Sequence, residues 1–192
     1  MSGRGRFITL GFLCVLLASP CDTLKATAAP EPSSARSLQV TAVFLFNFAQ
    51  FVRWPPAAFS GPHSPIVIGV LGDDPVERYL DEVVRSESIG GRPLVARHFR
   101  RLEDVGPCHV LFVGRAAVDR ISGLMRTVQG RSVLTVGETP DFLAQGGMIR
   151  LVFGEHRTRI RINLRAAEAA RLTISSKLLR LAEIAGEGKE RP

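Results

Sequence analysis

Three short apolar runs, Ile66 to Leu71, Cys108 to Val113 and Val133 to Val136, each end on a glycine, at Gly72, Gly114 and Gly137. Runs this brief and this nearly continuously apolar, broken only by His109 and Thr135, suit strands covered on both faces, as in a parallel sheet with helices above and below. A helical stretch is expected after each of them. Val76 to Arg85 comes after Gly72-Asp73-Asp74-Pro75, where Pro75 fits a first helical position and Asp74 a cap. A second helix is expected from Ala116 to Arg126, and a short one near Asp141 to Ala144. A further strand, Leu94 to Phe99, follows the Gly90-Gly91-Arg92-Pro93 turn, with Glu103 and Asp104 in the connection after it. Strands that alternate with helices imply a parallel sheet.

The last third has a different rhythm. Met148 to Phe153 and Thr158 to Asn163 flank Gly154-Glu155 and read as an antiparallel hairpin. Two apolar helical stretches follow, Ala166 to Leu172 and Ser175 to Ile184, the second with serine at its cap. With 45% apolar residues the chain can bury a core of ordinary size. The expected fold class is therefore α/β, a three-layer sandwich with a mostly parallel sheet and a C-terminal antiparallel hairpin.

Ahead of this domain stands a segment of another kind. Arg4 and Arg6 precede an apolar stretch from Phe7 to Ala18, which Pro20, Cys21 and Asp22 end before it is long enough to span a bilayer. Small residues follow at Ala26-Thr27-Ala28, so residues 1–28 read as an export signal cleaved after Ala28. Residues 29–37, rich in Pro and Ser, read as a flexible leader, and a helix is expected from Leu38 to Val52, capped by Ser37 and stopped by Pro55-Pro56. Residues 38–184 form the domain and 185–192 a tail.

Loss of Arg4, Arg6, Lys25 and Asp22 with the signal lowers the formal charge from +7 to +5. The excess is carried by scattered arginine rather than by a dense basic run interleaved with aromatics, which argues against nucleic acid and for an acidic protein or membrane surface. Cys14 and Cys21 leave with the signal, so Cys108 is left without an internal disulfide partner or a multi-cysteine metal site. Neither a metal nor a cofactor is expected.

Candidate binding residues fall into three groups. Phe46, Phe48 and Phe51, with Ala42, Leu45 and Ala49, make the first helix apolar nearly all round, and Trp54 follows just beyond it, so this segment needs cover from its own sheet, a second copy or a partner. Arg157, Arg159 and Arg161 alternate with apolar neighbours and share one strand face, solvated or turned to an acidic partner. Asp73, Asp74 and Glu138 fall just after strands, on the edge where open α/β sheets bind ligands, although Asp74 also serves as a cap. Cys108 and His109 are strand neighbours that point to opposite faces, so they cannot act as a nucleophile and its base. Ser175 lacks a nucleophile elbow. These readings favour binding over catalysis.

Taken in order, Ala42-Val43-Phe44-Leu45-Phe46-Asn47-Phe48-Ala49-Gln50-Phe51-Val52-Arg53-Trp54-Pro55, Val70-Leu71-Gly72-Asp73-Asp74-Pro75, Cys108-His109-Val110-Leu111-Phe112-Val113, Val133-Leu134-Thr135-Val136-Gly137-Glu138, Gly146-Gly147-Met148-Ile149 and Ile174-Ser175-Ser176-Lys177-Leu178-Leu179 resemble the YfiR family of periplasmic regulators. The resemblance implies a periplasmic domain, often a homodimer, that binds and restrains a membrane-anchored diguanylate cyclase. Release of that restraint raises cyclic di-GMP and favours biofilm. Sensor kinases are the other class of membrane signalling partner it suggests, with the domain then acting as a small-ligand sensor. The paired cysteines of the family's best-known member are missing here, so its redox chemistry is not implied.

Overall fold

The structure, a computed structural model, describes residues 32–154 and 157–185. The expected export signal, the residues near 29 and the tail from Gly186 lie outside the described residues.

The first helix, α1, runs Pro32–Phe51. It starts ahead of the expected Leu38, so much of the segment read as a leader is helical. Ser37 is consequently not its cap but lies within it, where its carbonyl accepts from Thr41 Oγ1 at 3.0 Å. The chain then extends as β1 (Val52–Arg53) and turns through a 310 segment at Pro56–Ala58. Next come β2 (Ile66–Leu71), α2 (Val76–Val84), β3 (Ser88–Ile89) and β4 (Arg92–Phe99). They are followed by β5 (Val110–Val113), α3 (Ile121–Val128) and β6 (Leu134–Gly137). The last third holds β7 (Ile149–Phe153), β8 (Thr158–Ile162), α4 (Leu164–Ala169), β9 (Thr173–Ile174), α5 (Ser176–Leu179) and β10 (Ala182–Ile184).

Eight strands form one mixed sheet in the order β10-β8-β7-β6-β5-β2-β4-β3, while β1 and β9 pair separately and antiparallel. Only β7 with β8 and β3 with β4 run antiparallel in the large sheet. The expected three-layer α/β fold with its hairpin is what forms. Because β4 lies on one side of β2 and β5 on the other, the chain reverses direction across the sheet between β2 and β5. In open α/β sheets such a switch point opens a crevice at the carboxyl ends of the strands.

Alternate residues of the central strands feed two cores. Ile66, Ile68, Val70, Val110, Phe112 and Val136 join α1, α2 and the C-terminal helices on one face. Val67, Leu71, Leu111 and Val113 meet α3 and Phe142 on the other. All six residues of β2 are buried, as a two-sided strand requires. Gly69 lies within that run because a Cβ there would stand 2.7 Å from the Phe99 ring.

Several expected elements differ. The helix expected from Ala116 begins as a 310 segment, Arg115–Arg120, with Ala117 off helical geometry, before α3 proper. Residues 141–146 form successive turns rather than a helix. Pro140 precedes them, and Gly146, at φ 97°, turns the chain back so that Gly147 N–H donates to the Phe142 carbonyl at 2.9 Å. The helix expected over Ser175 to Ile184 stops at Leu179, and Ala182–Ile184 instead lines up parallel to β8. Backbone groups on the outer edge of β8 thereby gain partners, a demand that local spacing does not encode. The Ser175 cap is present, accepting from Leu178 N–H at 3.4 Å.

Candidate functional site

The carboxyl ends of β2, β5 and β6 bring together residues far apart in sequence. After β2, Gly72 takes φ 97° and lets the chain swing into α2. Asp74 then accepts from Val76 N–H at 3.0 Å, bracing the first residue of α2, while Pro75 and not Asp74 takes the N-cap position. Asp73 is exposed and stands outside this arrangement. The Asp74 carboxylate packs so closely over Gly114, the first residue after β5, that a Cβ there would overlap Oδ2.

Glu138 leaves the end of β6 and is held from two sides. Arg115 Nε lies 3.3 Å from Oε2, and Thr41 Oγ1 of α1 is 3.2 Å from Oε1. The Glu138 side chain is 14% exposed, whereas that of Arg115 is 72% exposed, so the ion pair faces solvent from its basic end. Burial raises the Glu138 pKa against the lowering effects of Arg115 and Thr41, and the nearby Asp74 charge adds to the rise. Burial likewise raises that of Asp74, opposed by its bond from Val76. Thr41 has one hydroxyl proton and two acceptors near it, the Ser37 carbonyl and Glu138. A protonated Glu138 resolves that conflict by donating to Thr41 while Thr41 donates to Ser37.

A cleft of about 420 Å3 continues from this edge, between Arg115, Val118 and Glu138 on one side and Arg150 and Val152 on the other. It leads onto the arginine face. Arg150 stands directly opposite Arg161 in the β7–β8 ladder, and Arg161 opposite Glu183 of β10. Arg159 and Arg161 share Glu183 at 3.7 and 3.9 Å. Arg159 and Glu183 are 50% and 54% exposed, so no described element covers this end of the sheet. Burial, aided by the charge of Arg161, lowers the pKa of Arg150, whose Nε is buried without a partner. Arg157 is exposed beyond the strand end.

The aromatic group divides differently. Phe48 is fully buried at 0% exposure, stacked on Phe44, and so is removed from any contact surface. Phe46, Phe51 and Trp54 are half-buried against the same core. Trp54 Nε1 donates to the His109 carbonyl at 3.2 Å, which ties it into the fold. Much of the cover that α1 needs comes from its own sheet and from α2.

Cys108 and His109 do face opposite cores, and burial pushes the Cys108 thiol up to about 11. It is a poor nucleophile at neutral pH. Among the described residues no cluster of His, Cys, Asp and Glu could hold a metal ion, and no helix is long and apolar enough to cross a membrane.

Thr41, Arg115 and Arg150 were not singled out by sequence. Arg150 could have been found by laying the hairpin in register, and Arg115 by its place after β5. Thr41 carried no signal on an apolar helix. No curated protein matches the chain. The family described as YfiR/HmsC-like matches it over residues 38–183, from within α1 to within β10. This chain belongs to the YfiR/HmsC-like family.

Proposed function

We propose that the protein is a periplasmic regulator of cyclic di-GMP signalling that docks on a membrane-anchored signalling protein, a diguanylate cyclase, and restrains it. The family match over residues 38–183 carries this reading. The arginine face supports it, since Arg159 and Arg161 share Glu183, Arg150 lies opposite Arg161 in the same ladder, and Arg157 is exposed at the strand end. Clustered arginine suits an acidic protein surface, where its planar fork binds carboxylates in pairs. The protein acts by binding rather than by catalysis, either as one copy or as a homodimer using the exposed parts of Phe46, Phe51 and Trp54. Deleting the gene should raise cellular cyclic di-GMP, and an unchanged level would refute the reading.

A second reading has its own observation. Asp74 sits at the switch point of the sheet and Glu138 at the end of the neighbouring β6, beside an open cleft, which suits a small-ligand sensor working with a sensor kinase. Under that reading Glu138→Gln loses ligand response while partner binding persists.

A further inference from the structure

β6 and β7 run side by side but do not end together. β6 stops at Gly137, level with Arg150, whereas β7 runs on to Phe153. After Glu138 the chain bends away into the turns at 140–146. Over Leu151 to Phe153 the side of β7 turned toward β6 is therefore without a strand partner. The register shows which groups this leaves open. Gly154 N–H donates to the Arg157 carbonyl at 3.1 Å, so Gly154 and, two residues back, Val152 direct their backbone groups at β8. Leu151 and Phe153 direct theirs the other way. Among the described residues, the Leu151 carbonyl and both backbone groups of Phe153 have no backbone partner on that side. An unpaired stretch of strand is a template for another chain.

The open stretch forms one wall of the cleft of about 420 Å3, which Leu151, Val152 and Phe153 all line, with Arg115 and Val118 across from them. Charge decides what suits it. Arg150 lines the same cleft, and among the described residues no carboxylate lies within ion-pair distance of it. Val152 stands opposite Arg159 in the β7–β8 ladder. Paired residues of neighbouring strands, and residues two apart on one strand, share a face of the sheet. A residue laid beside Val152 from the open side would thus project its side chain onto the face of Arg150 and Arg159. An acid is the residue that fits there. A free anion would meet the guanidinium groups but leave the backbone of Leu151 and Phe153 unpaired, whereas an extended chain brings both donors and acceptors.

We propose that an extended acidic segment of the partner protein adds to the sheet here, as a strand of about three residues beside Leu151 to Phe153, with a carboxylate reaching Arg150 and Arg159. Main-chain bonds to β7 hold the segment, and the arginines select its charge. The proposal rests on the docking reading for the identity of the partner, but not for the site itself.

The test titrates the purified protein with a probe peptide, acetyl-Glu-Val-Glu-Val-Glu-amide, at constant ionic strength, and follows the backbone 15N–1H signals of Leu151, Val152 and Phe153. A saturable shift is expected, with slower hydrogen exchange at Phe153. Two further peptides, N-methylated at both valines or at every glutamate, each lose the donors of one edge. A strand pairs through a single edge, so one of them should bind like the parent peptide and the other about tenfold or more weakly; which one fails gives the direction of the added strand. Arg150→Gln should weaken the parent peptide about three- to fivefold, the scale of a part-exposed ion pair. Absence of a shift, like behaviour of the two methylated peptides, or the same shift from free glutamate at equal concentration overturns the proposal. Peptide binding as expected in a protein whose gene deletion leaves cyclic di-GMP unchanged would uphold the strand site and refute the cyclase as its partner.

Discussion

Glu138 is the residue whose chemistry reaches furthest, because its part-buried carboxylate is held between a guanidinium and a hydroxyl that already has another acceptor. Its pKa and that of Asp74 are raised in the folded state, so both groups bind a proton more tightly folded than unfolded. Their contribution to stability is complete below the ordinary carboxylate range and is lost as pH rises through the raised folded values. Thermal denaturation across mildly acidic to neutral pH should therefore show a decline that Glu138→Gln flattens, with the variant at least as stable as the parent at pH 7. A variant curve parallel to the parent's would contradict this. Packing at Phe142 gives a second expectation. The ring is fully buried between Gly137 and Gly147, and a Cβ at Gly137 would lie 2.6 Å from it. Gly137→Ala should cost about 1–3 kcal/mol by overpacking, and Phe142→Ala about 3–5 kcal/mol by leaving a cavity, both measurable by denaturant unfolding. The turn at Gly-Asp-Asp-Pro that leads into α2 was legible from those residues alone, since that chemistry is local, although the N-cap is Pro75 rather than Asp74. The Thr41–Glu138 contact was not, because the two lie 97 positions apart and meet only after the sheet forms.

Among the elements, those with two-sided burial were the easiest to read. β2 occupies the span its apolar run marks, because no polar residue interrupts Ile66 to Leu71. Elements whose form depends on neighbours were harder. Ala182 to Ile184 fits a helix by spacing but becomes a strand because β8 would otherwise present an open edge. The aromatic helix illustrates the same limit, for its pattern announces a need for cover without saying which ring goes inward. Phe48 goes fully inward and Phe46 only half. Phe48→Ala should thus cost about 3–5 kcal/mol. Phe46→Ala should cost clearly less while weakening self-association or partner binding, as judged by unfolding and sedimentation. Asn163, which begins α4 by accepting from Ala166 N–H at 3.1 Å, should cost about 1 kcal/mol on change to Ala.

For the whole molecule, the sequence conveyed the alternation of strands and helices but not the strand order, which fixes both ends of the sheet. That order puts Asp74 at the switch point with Glu138 one strand away, and sets Arg150 of β7 opposite Arg161 of β8. A face of four arginines with Glu183 as its acid is thereby assembled from β7, β8, β10 and the residue before β8. Under the proposed function, this face engages an acidic surface on a membrane signalling protein. That engagement is tested most directly by restoring a deletion strain with either the parent gene or an Arg159→Glu, Arg161→Glu variant and measuring cyclic di-GMP. Both proteins should accumulate folded to similar levels, since these side chains lie outside the core. The parent should return the nucleotide to its original level and the variant should leave it high; full restoration by the charge-reversed protein would contradict the claim.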